Sequence, residues 1–269
     1  MSVAVAGTGA AMGQQPQPVT WPVFQSALIS RETVASGTMS FTFAKPSDWT
    51  FRAGQFIDIT LIDPPTTDAE GDTRGFSISS APSEGIITIT TRLRGSAFKR
   101  NLQLMPLGTM VKIEGPFGEL ALEDPTRPAV VLTGGIGITP FRSMAVEAAH
   151  QGGFDQRVVL VHSNRRPAEA PFLAELRRLA ERDPNLDFVP TMTDLDPSEE
   201  WPGEKSPIDV SLLRRHLEGV SSAVYFLEGP VEPIYYLTGP PGLVRALRSM
   251  LVDLGVEESD IRTEEFTGY

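Results

Sequence analysis

The 269-residue chain contains no cysteine. That excludes disulfide bridges, a cysteine-ligated iron–sulfur cluster and a thiol nucleophile. Histidine is scarce as well. His150, His162 and His216 stand far apart without paired metal-ligand spacing, so each reads as a surface or satisfied core residue and no metal site is expected. No apolar run is long enough for a membrane-spanning helix, which needs roughly 18 residues or more. The opening stretch, Met1 to Val19, is rich in Ala, Gly and Gln but lacks a basic leader and a continuous apolar block. It reads as a flexible tail rather than a secretory signal, and cytoplasmic residence is the default expectation. Positive charge is also in short supply, with a net charge of −11. The deficit is uneven: residues 1–128 carry 10 basic and 12 acidic side chains, residues 129–269 carry 13 and 22. Such a balance argues against nucleic acid or anionic lipid as main partners.

What is present suits two domains. Hydrophobic content of 41% and charged content of 21% are globular values. The length fits two units of about 100–150 residues each. Organisation changes near Glu123-Asp-Pro-Thr-Arg-Pro128. Before it, short runs rich in β-branched and aromatic residues alternate with turn signals at 23–29, 38–43, 56–62, 86–90 and 109–113, which predicts an antiparallel barrel or sandwich. After it the pattern becomes strand then helix, repeated. Strands are expected at 129–133, 157–162, 186–191, 234–238 and 261–266, and helices at 140–150, 168–182, 208–217 and 241–254. That alternation predicts a parallel, Rossmann-like sheet with helices on both faces, binding its ligand at the carboxyl ends of the strands. The expected division is a tail at 1–20, a β-barrel domain at 21–125 and an α/β domain at 126–269.

Two motifs carry chemistry. Thr133-Gly-Gly-Ile-Gly-Ile-Thr-Pro140 follows the apolar strand Ala129-Val-Val-Leu132 and opens a helix with proline in its first turn. Gly134, Gly135 and Gly137 allow a sharp turn and close approach to a ligand, and a helix N-terminus suits a diphosphate. A plain strand-to-helix connection is the alternative. The second motif, Arg74-Gly-Phe-Ser-Ile-Ser-Ser80, sets an arginine, an aromatic ring and a hydroxyl along an extended segment. A guanidinium can hold a phosphate and a ring can pack on a flat heterocycle, although Arg74 and Phe76 share one strand face and Ser77 the other unless the strand kinks.

Together and in this order the motifs resemble the ferredoxin–NADP(+) reductase-like flavoproteins, over about residues 21–269. Arg94-Gly-Ser-Ala-Phe98 looks like the element that cradles the flavin phosphates. Gly115-Pro-Phe-Gly118 is similar to the closing strand-turn of the flavin domain, and Thr238-Gly-Pro-Pro-Gly242 to the late turn beside the nicotinamide. Glu264-Glu-Phe266 resembles the C-terminal Glu-x-aromatic element. The resemblance implies an FAD-binding barrel (FMN less so) and an NAD(P)-binding α/β domain. It assigns the flavin to Arg74, Gly75, Phe76, Ser77, Arg94, Gly95, Ser96, Ala97 and Phe266. It assigns the nicotinamide dinucleotide to Thr133, Gly134, Gly135, Gly137, Thr139, Pro140, Gly239 and Pro240. Ser77, Thr238, Glu264 and Phe266 are the expected catalytic residues, with Tyr269 an alternative to Phe266 as the ring over the flavin.

The implied activity is a flavin-dependent oxidoreductase that takes hydride from NADH or NADPH and passes electrons to a separate acceptor. That acceptor is a ferredoxin-like protein, an oxygenase component or a small molecule. Arg92, Arg94, Lys99 and Arg100 form the basic group of the first half and could meet an acidic redox protein or serve the flavin phosphates. The alternative function is a flavin-binding electron-transfer or regulatory subunit that does not turn over the nicotinamide. Two departures motivate it: Thr238 stands where many relatives have cysteine, and the segment Val220 to Pro233 is longer than the usual link, with an extra strand expected at 223–227. On cofactor choice, Arg165 and Arg166 could take a 2′-phosphate, whereas Asp194 would repel one; the balance favours NADH.

Overall fold

Alternation of apolar and polar residues builds the first half. The computed structural model describes residues 20–122, 124–223 and 232–266. Six strands occupy the first of these stretches: β1 (Val23–Ala35), β2 (Thr38–Phe43), β3 (Phe56–Leu61), β4 (Thr73–Ser77), β5 (Ile87–Arg92) and β6 (Met110–Phe117). They pair antiparallel in the order β4-β3-β6-β1-β2-β5. In β3 every second residue, Ile57, Ile59 and Leu61, points into the core, as a two-residue period requires. Helix α1 (Ala97–Leu104) presses Phe98 and Leu102 onto the same cluster, which includes Phe41, Phe43, Ile89 and Ile113. Each such buried side chain contributes about 1.5–3 kcal/mol. Past Ser77 the chain moves to the other edge of the sheet, where Ile78 bridges Ile89 and Ser79 N–H donates to Thr88 O at 2.7 Å. The curled sheet is thereby drawn into a barrel.

The second half is a five-stranded parallel sheet in the order β11-β10-β7-β8-β9. Its strands are β7 (Ala129–Gly134), β8 (Val158–Asn164), β9 (Leu186–Met192), β10 (Ile234–Gly239) and β11 (Ile261–Glu265). The two strands β7 and β10 are buried at every position, as a sheet covered on both faces demands. Helices α2 (Thr139–Gln151) and α3 (Leu173–Ala180) cover one face, with Phe141, Met144 and Leu176 on Val131, Leu160 and Tyr236. Helices α4 (Val210–Ala223) and α5 (Pro241–Asp253) cover the other, with Leu212, Val244 and Leu247 on Val130, Val161 and Leu237.

The two-part architecture matches the sequence expectation, with three local differences. β1 runs on to Ala35 because its first part pairs with β6 and its second with β2, through two register irregularities. α3 begins at Leu173 rather than 168. Pro167–Glu169 makes only a short 3₁₀ turn, Pro171 disfavours helix at the residue before it, and Phe172 sits at φ +60. α4 reaches Ala223, so the expected strand at 223–227 is helical at its first residue and lies outside the described residues beyond it. Among the described residues no helix is long and apolar enough to cross a membrane, and no group of three metal-ligating side chains occurs.

Candidate functional site

Barrel closure and the glycine turn meet at one cleft of about 560 Å³. Arg74, Gly75, Phe76 and Ser77 line it from β4, and Thr90, Thr91 and Arg92 from β5. Arg94, Gly95, Ser96 and Lys99 line it from the approach to α1, Ile136 and Thr139 from the turn before α2, and Phe266 from beyond β11. Ser77 reaches the same cleft as Arg74 and Phe76 because the chain leaves β3 there to bridge β5. Its hydroxyl is buried and has no hydrogen-bond partner among the described residues.

Cations gather at one end. Ser96 caps α1, its hydroxyl accepting from Lys99 N–H at 3.3 Å. Burial, and then the nearby charges of Arg94 and Arg74, pull the Lys99 ammonium below its ordinary pKa. Arg74 is committed to its own loop. It donates to the carbonyls of Glu70, Gly71 and Thr73, pairs with Glu70 at 2.8 Å and Asp68 at 3.3 Å, and lies 5.4 Å from the Phe98 ring centre. Asp68 also accepts the Ala97 N–H at 2.7 Å, the first free donor of α1, and that bond leads the set that lowers its carboxyl pKa.

The glycine turn is built from backbone. Gly135–Ile138 form a 3₁₀ turn running directly into α2, with Gly135 at φ +55. A Cβ on Gly137 would come within 2.7 Å of Thr133 Oγ1 and of the Thr238 carbonyl, and one on Gly134 would collide with the Leu243 side chain. Three carbonyls of the turn accept from side chains: Gly135 from His162 Nε2 at 2.9 Å, Ile136 from Thr139 at 3.1 Å, Gly137 from Thr238 at 2.8 Å. Thr133 and Thr238 are fully buried, with their hydroxyls 3.0 Å apart.

Glu264 pairs in register with Thr238 but opens onto a neighbouring cavity of about 330 Å³, beside Tyr236, Gly118 and Leu120. Its Oε2 is buried without a partner among the described residues, and burial pushes its pKa up to about 7. Phe266 N–H donates to Gly239 O at 3.0 Å, which ties the cleft-lining ring to the end of β10.

The halves are braced around this site by Arg142 of α2. Its guanidinium takes Glu175 of α3 in a two-point pair at 2.7 and 3.0 Å, pairs with Glu84 of the barrel, and donates to Ser79 O. Burial disfavours its charge, yet the bonds to Glu175 and Glu84 outweigh that and hold its pKa above the ordinary value. Ser143 donates to Ser80 O at 2.6 Å, and Arg92 reaches Glu169 at 3.5 Å.

Of the residues expected from sequence, Arg74, Gly75, Phe76, Ser77, Arg94, Gly95, Ser96, Thr139 and Phe266 share the cleft. Ala97, Thr133, Gly134, Gly137, Pro140 and Thr238 are buried behind its wall, and Gly239 and Pro240 follow at the end of β10. Gly135 stands beside Arg92, whose guanidinium would lie 3.9 Å from a Cβ there. Tyr269 lies outside the described residues. Thr90, Thr91, Ile136 and the Asp68–Glu70 loop carry no sequence signal that marks them for the cleft. Their place depends on barrel closure and on the other domain, which leave no local pattern. Arg165 and Arg166 stand together with Asp194: Arg165 pairs with its carboxylate at 3.2 Å, and Arg166 donates to its carbonyl at 3.0 Å.

Comparison with known proteins agrees with the two-part fold. Residues 131–249 match the family model for the oxidoreductase NAD-binding domain. One component of the Na(+)-translocating NADH-quinone reductase of Idiomarina loihiensis is 28% identical over 207 residues, covering 72% of this chain and 49% of that protein. Reductase component 1 of the terephthalate 1,2-dioxygenase of a Comamonas species is 25% identical over 221 residues, covering 80% of this chain and 59% of that protein. The chain thus spans about half to three fifths of the length of these relatives. Among solved structures, a ferredoxin NADP+ reductase from Neisseria gonorrhoeae, with bound FAD and NADP, superposes with a TM-score of 0.69 at 20% identity, covering 90% of this chain and 98% of that one. The fold is that of this reductase, a barrel followed by a parallel-sheet domain.

Proposed function

We propose that the chain is an NAD(P)H-dependent flavoprotein reductase that binds FAD in the 560 Å³ cleft and delivers electrons to a separate acceptor. The observation that carries this reading is the joining, in one cavity, of an unpartnered buried hydroxyl (Ser77), an aromatic wall (Phe76), a cationic end (Arg74, Arg94, Lys99) and the rim of the glycine turn (Ile136, Thr139). These residues fit a flavin nucleotide: a flat heterocycle against Phe76, a polar ring atom at Ser77, and a diphosphate at the cations and the α1 N-terminus. A flavin would supply what side chains lack, two-electron uptake from a reduced nicotinamide and onward transfer. Ser77 would offer its hydroxyl as a hydrogen-bond partner there, and Phe266 would shield the cleft and yield to the nicotinamide. Glu264, its pKa raised by burial to about 7, would take up or release a proton near neutral pH next to Thr238, one strand from the glycine turn.

The nicotinamide dinucleotide is assigned to the glycine turn, where the helix N-terminus favours its diphosphate. NADH is the favoured donor, because Asp194 already engages both Arg165 and Arg166. The acceptor is placed outside these 269 residues, in a redox protein or a small molecule, since they hold no cysteine to ligate an iron–sulfur cluster. The test is anaerobic stopped-flow absorbance of the FAD-loaded protein against NADH and NADPH. Rapid bleaching of the flavin band, faster with NADH, is expected. A flavin that stays oxidised with both nucleotides would overturn the reductase reading in favour of a flavin-binding subunit.

A further inference from the structure

At the carboxyl end of the parallel sheet, four polar side chains stand in register across four strands: His162 on β8, Thr133 on β7, Thr238 on β10 and Glu264 on β11. Two residues earlier on the three inner strands are Leu160, Val131 and Tyr236, which form the apolar face under α2 and α3. The polar row therefore ends an otherwise apolar face, directly beneath the turn that launches α2. Two of its members grip backbone. His162, completely buried, donates Nε2–H to the Gly135 carbonyl at 2.9 Å, from one side of β7. Thr238, equally buried, donates to the Gly137 carbonyl at 2.8 Å from the other side.

We infer that His162 and Thr238 form a two-sided clamp on the carbonyls of the glycine turn, positioning residues that preset the turn for a dinucleotide diphosphate. The inference rests on the dinucleotide reading above and adds two residues that act through the turn rather than on the ligand. In a planar trans peptide the N–H points opposite to the C=O, so fixing the Gly135 carbonyl onto His162 directs the Ile136 N–H away from the sheet. Ile136 is among the residues that line the cleft. Gly135 at φ +55 has no side chain to restrain it, and glycine explores more conformations than any other residue. A clamp on either side removes that freedom before a ligand arrives, which raises affinity by lowering the ordering cost. Burial holds the His162 pKa down to about 4, so at neutral pH the ring has a single proton, and the Gly135 carbonyl fixes it on Nε2. Nδ1 is left buried without a partner among the described residues, a cost that a purely space-filling residue such as phenylalanine would avoid.

The experiment titrates the purified full chain with ADP-ribose, which carries the diphosphate and no nicotinamide, by calorimetry, alongside an FAD titration. His162→Phe and Thr238→Val are each expected to weaken ADP-ribose binding about tenfold while FAD affinity stays at the wild-type value. His162→Gln and Thr238→Ser, which keep a donor at the same reach, are expected to recover most of that loss. A general packing defect would instead depress both ligands together and overturn the clamp. Wild-type ADP-ribose affinity in the Phe and Val variants would overturn it too, as would Gln and Ser variants as weak as Phe and Val. Should His162→Phe fail to fold, the Thr238 pair decides the matter by itself. A wild-type chain with no affinity for ADP-ribose would overturn the dinucleotide reading, and the clamp with it.

Discussion

The two ends of the candidate site are held in opposite ways. At the barrel end, the groups suited to phosphate are charged side chains on a loop and a short helix. Arg74 is bound by Asp68 and Glu70, partners that are themselves one-third and two-thirds exposed. Such pairs are worth little individually and rearrange readily. At the turn end, the donors belong to backbone, and what fixes them is buried, uncharged and close-packed. One end can be retuned by moving side chains, while the other tolerates almost no change of shape.

Substitution at the turn gives the largest expected effect. Gly137→Ala places a methyl 2.7 Å from Thr133 Oγ1 and the Thr238 carbonyl and 2.8 Å from Gly239 Cα, all fixed atoms of two central strands. Overpacking of this kind costs about 2–3 kcal/mol, so the denaturation midpoint should fall clearly and ADP-ribose binding with it. Gly135→Ala supplies the contrast. Its Cβ meets nothing closer than Arg92 at 3.9 Å. Only the left-handed backbone is then penalised, by about 1 kcal/mol. Equal midpoints for the two variants would show that the turn is less rigid than its packing implies.

Next in size is the brace between the halves. Arg142→Met strands Glu84 and Glu175, which now share its guanidinium, and frees the Ser79 carbonyl. Removing one partner from a largely buried network of this kind costs about 2 kcal/mol, given that both acids keep some contact with water. Chemical denaturation should show that loss. If the barrel and the parallel sheet then melt in separate steps, Arg142 is what couples them; a single transition at the wild-type midpoint would remove it from that role.

Sequence revealed the second half more fully than the first. The inner strands from Ala129, Val158 and Ile234 lie in a sheet covered on both faces, so they read as apolar runs. The Arg74–Ser77 and glycine motifs could be read because they are contiguous. What could not be read is pairwise and distant. That Arg74 faces Asp68 and Glu70 depends on the path of a loop. That Thr90 and Arg92 reach the cleft depends on the Ile78–Ile89 bridge, and that His162 is a strut depends on a carbonyl 27 residues earlier in the chain. A lone histidine in an apolar strand carries no local sign of such a partner.

Glu264 offers the smallest effect and the finest test of the contrast, because it lies in the polar row yet has no partner for its Oε2 among the described residues. Its folded pKa of about 7 is raised above the ordinary carboxyl value of 4.5 by burial. For a raised pKa the folded state holds the proton more tightly than the unfolded one, so the stabilisation is fully present below pH 4.5 and is lost as pH rises through about 7. Allowing for its partial exposure, the swing should be about 1–2 kcal/mol between roughly pH 5 and pH 8. Glu264→Gln removes the titration while keeping the shape. The variant should match the wild type at pH 5 and exceed it in denaturation midpoint at pH 8. His162 would bend the profile on the other side, since its lowered pKa costs stability as pH falls from about 6.5 towards about 4. Parallel profiles for wild type and Glu264→Gln over pH 5 to 8 would mean that the carboxyl is solvated in solution. The polar row would then end at Thr238, leaving the clamp and not the acid as its working part.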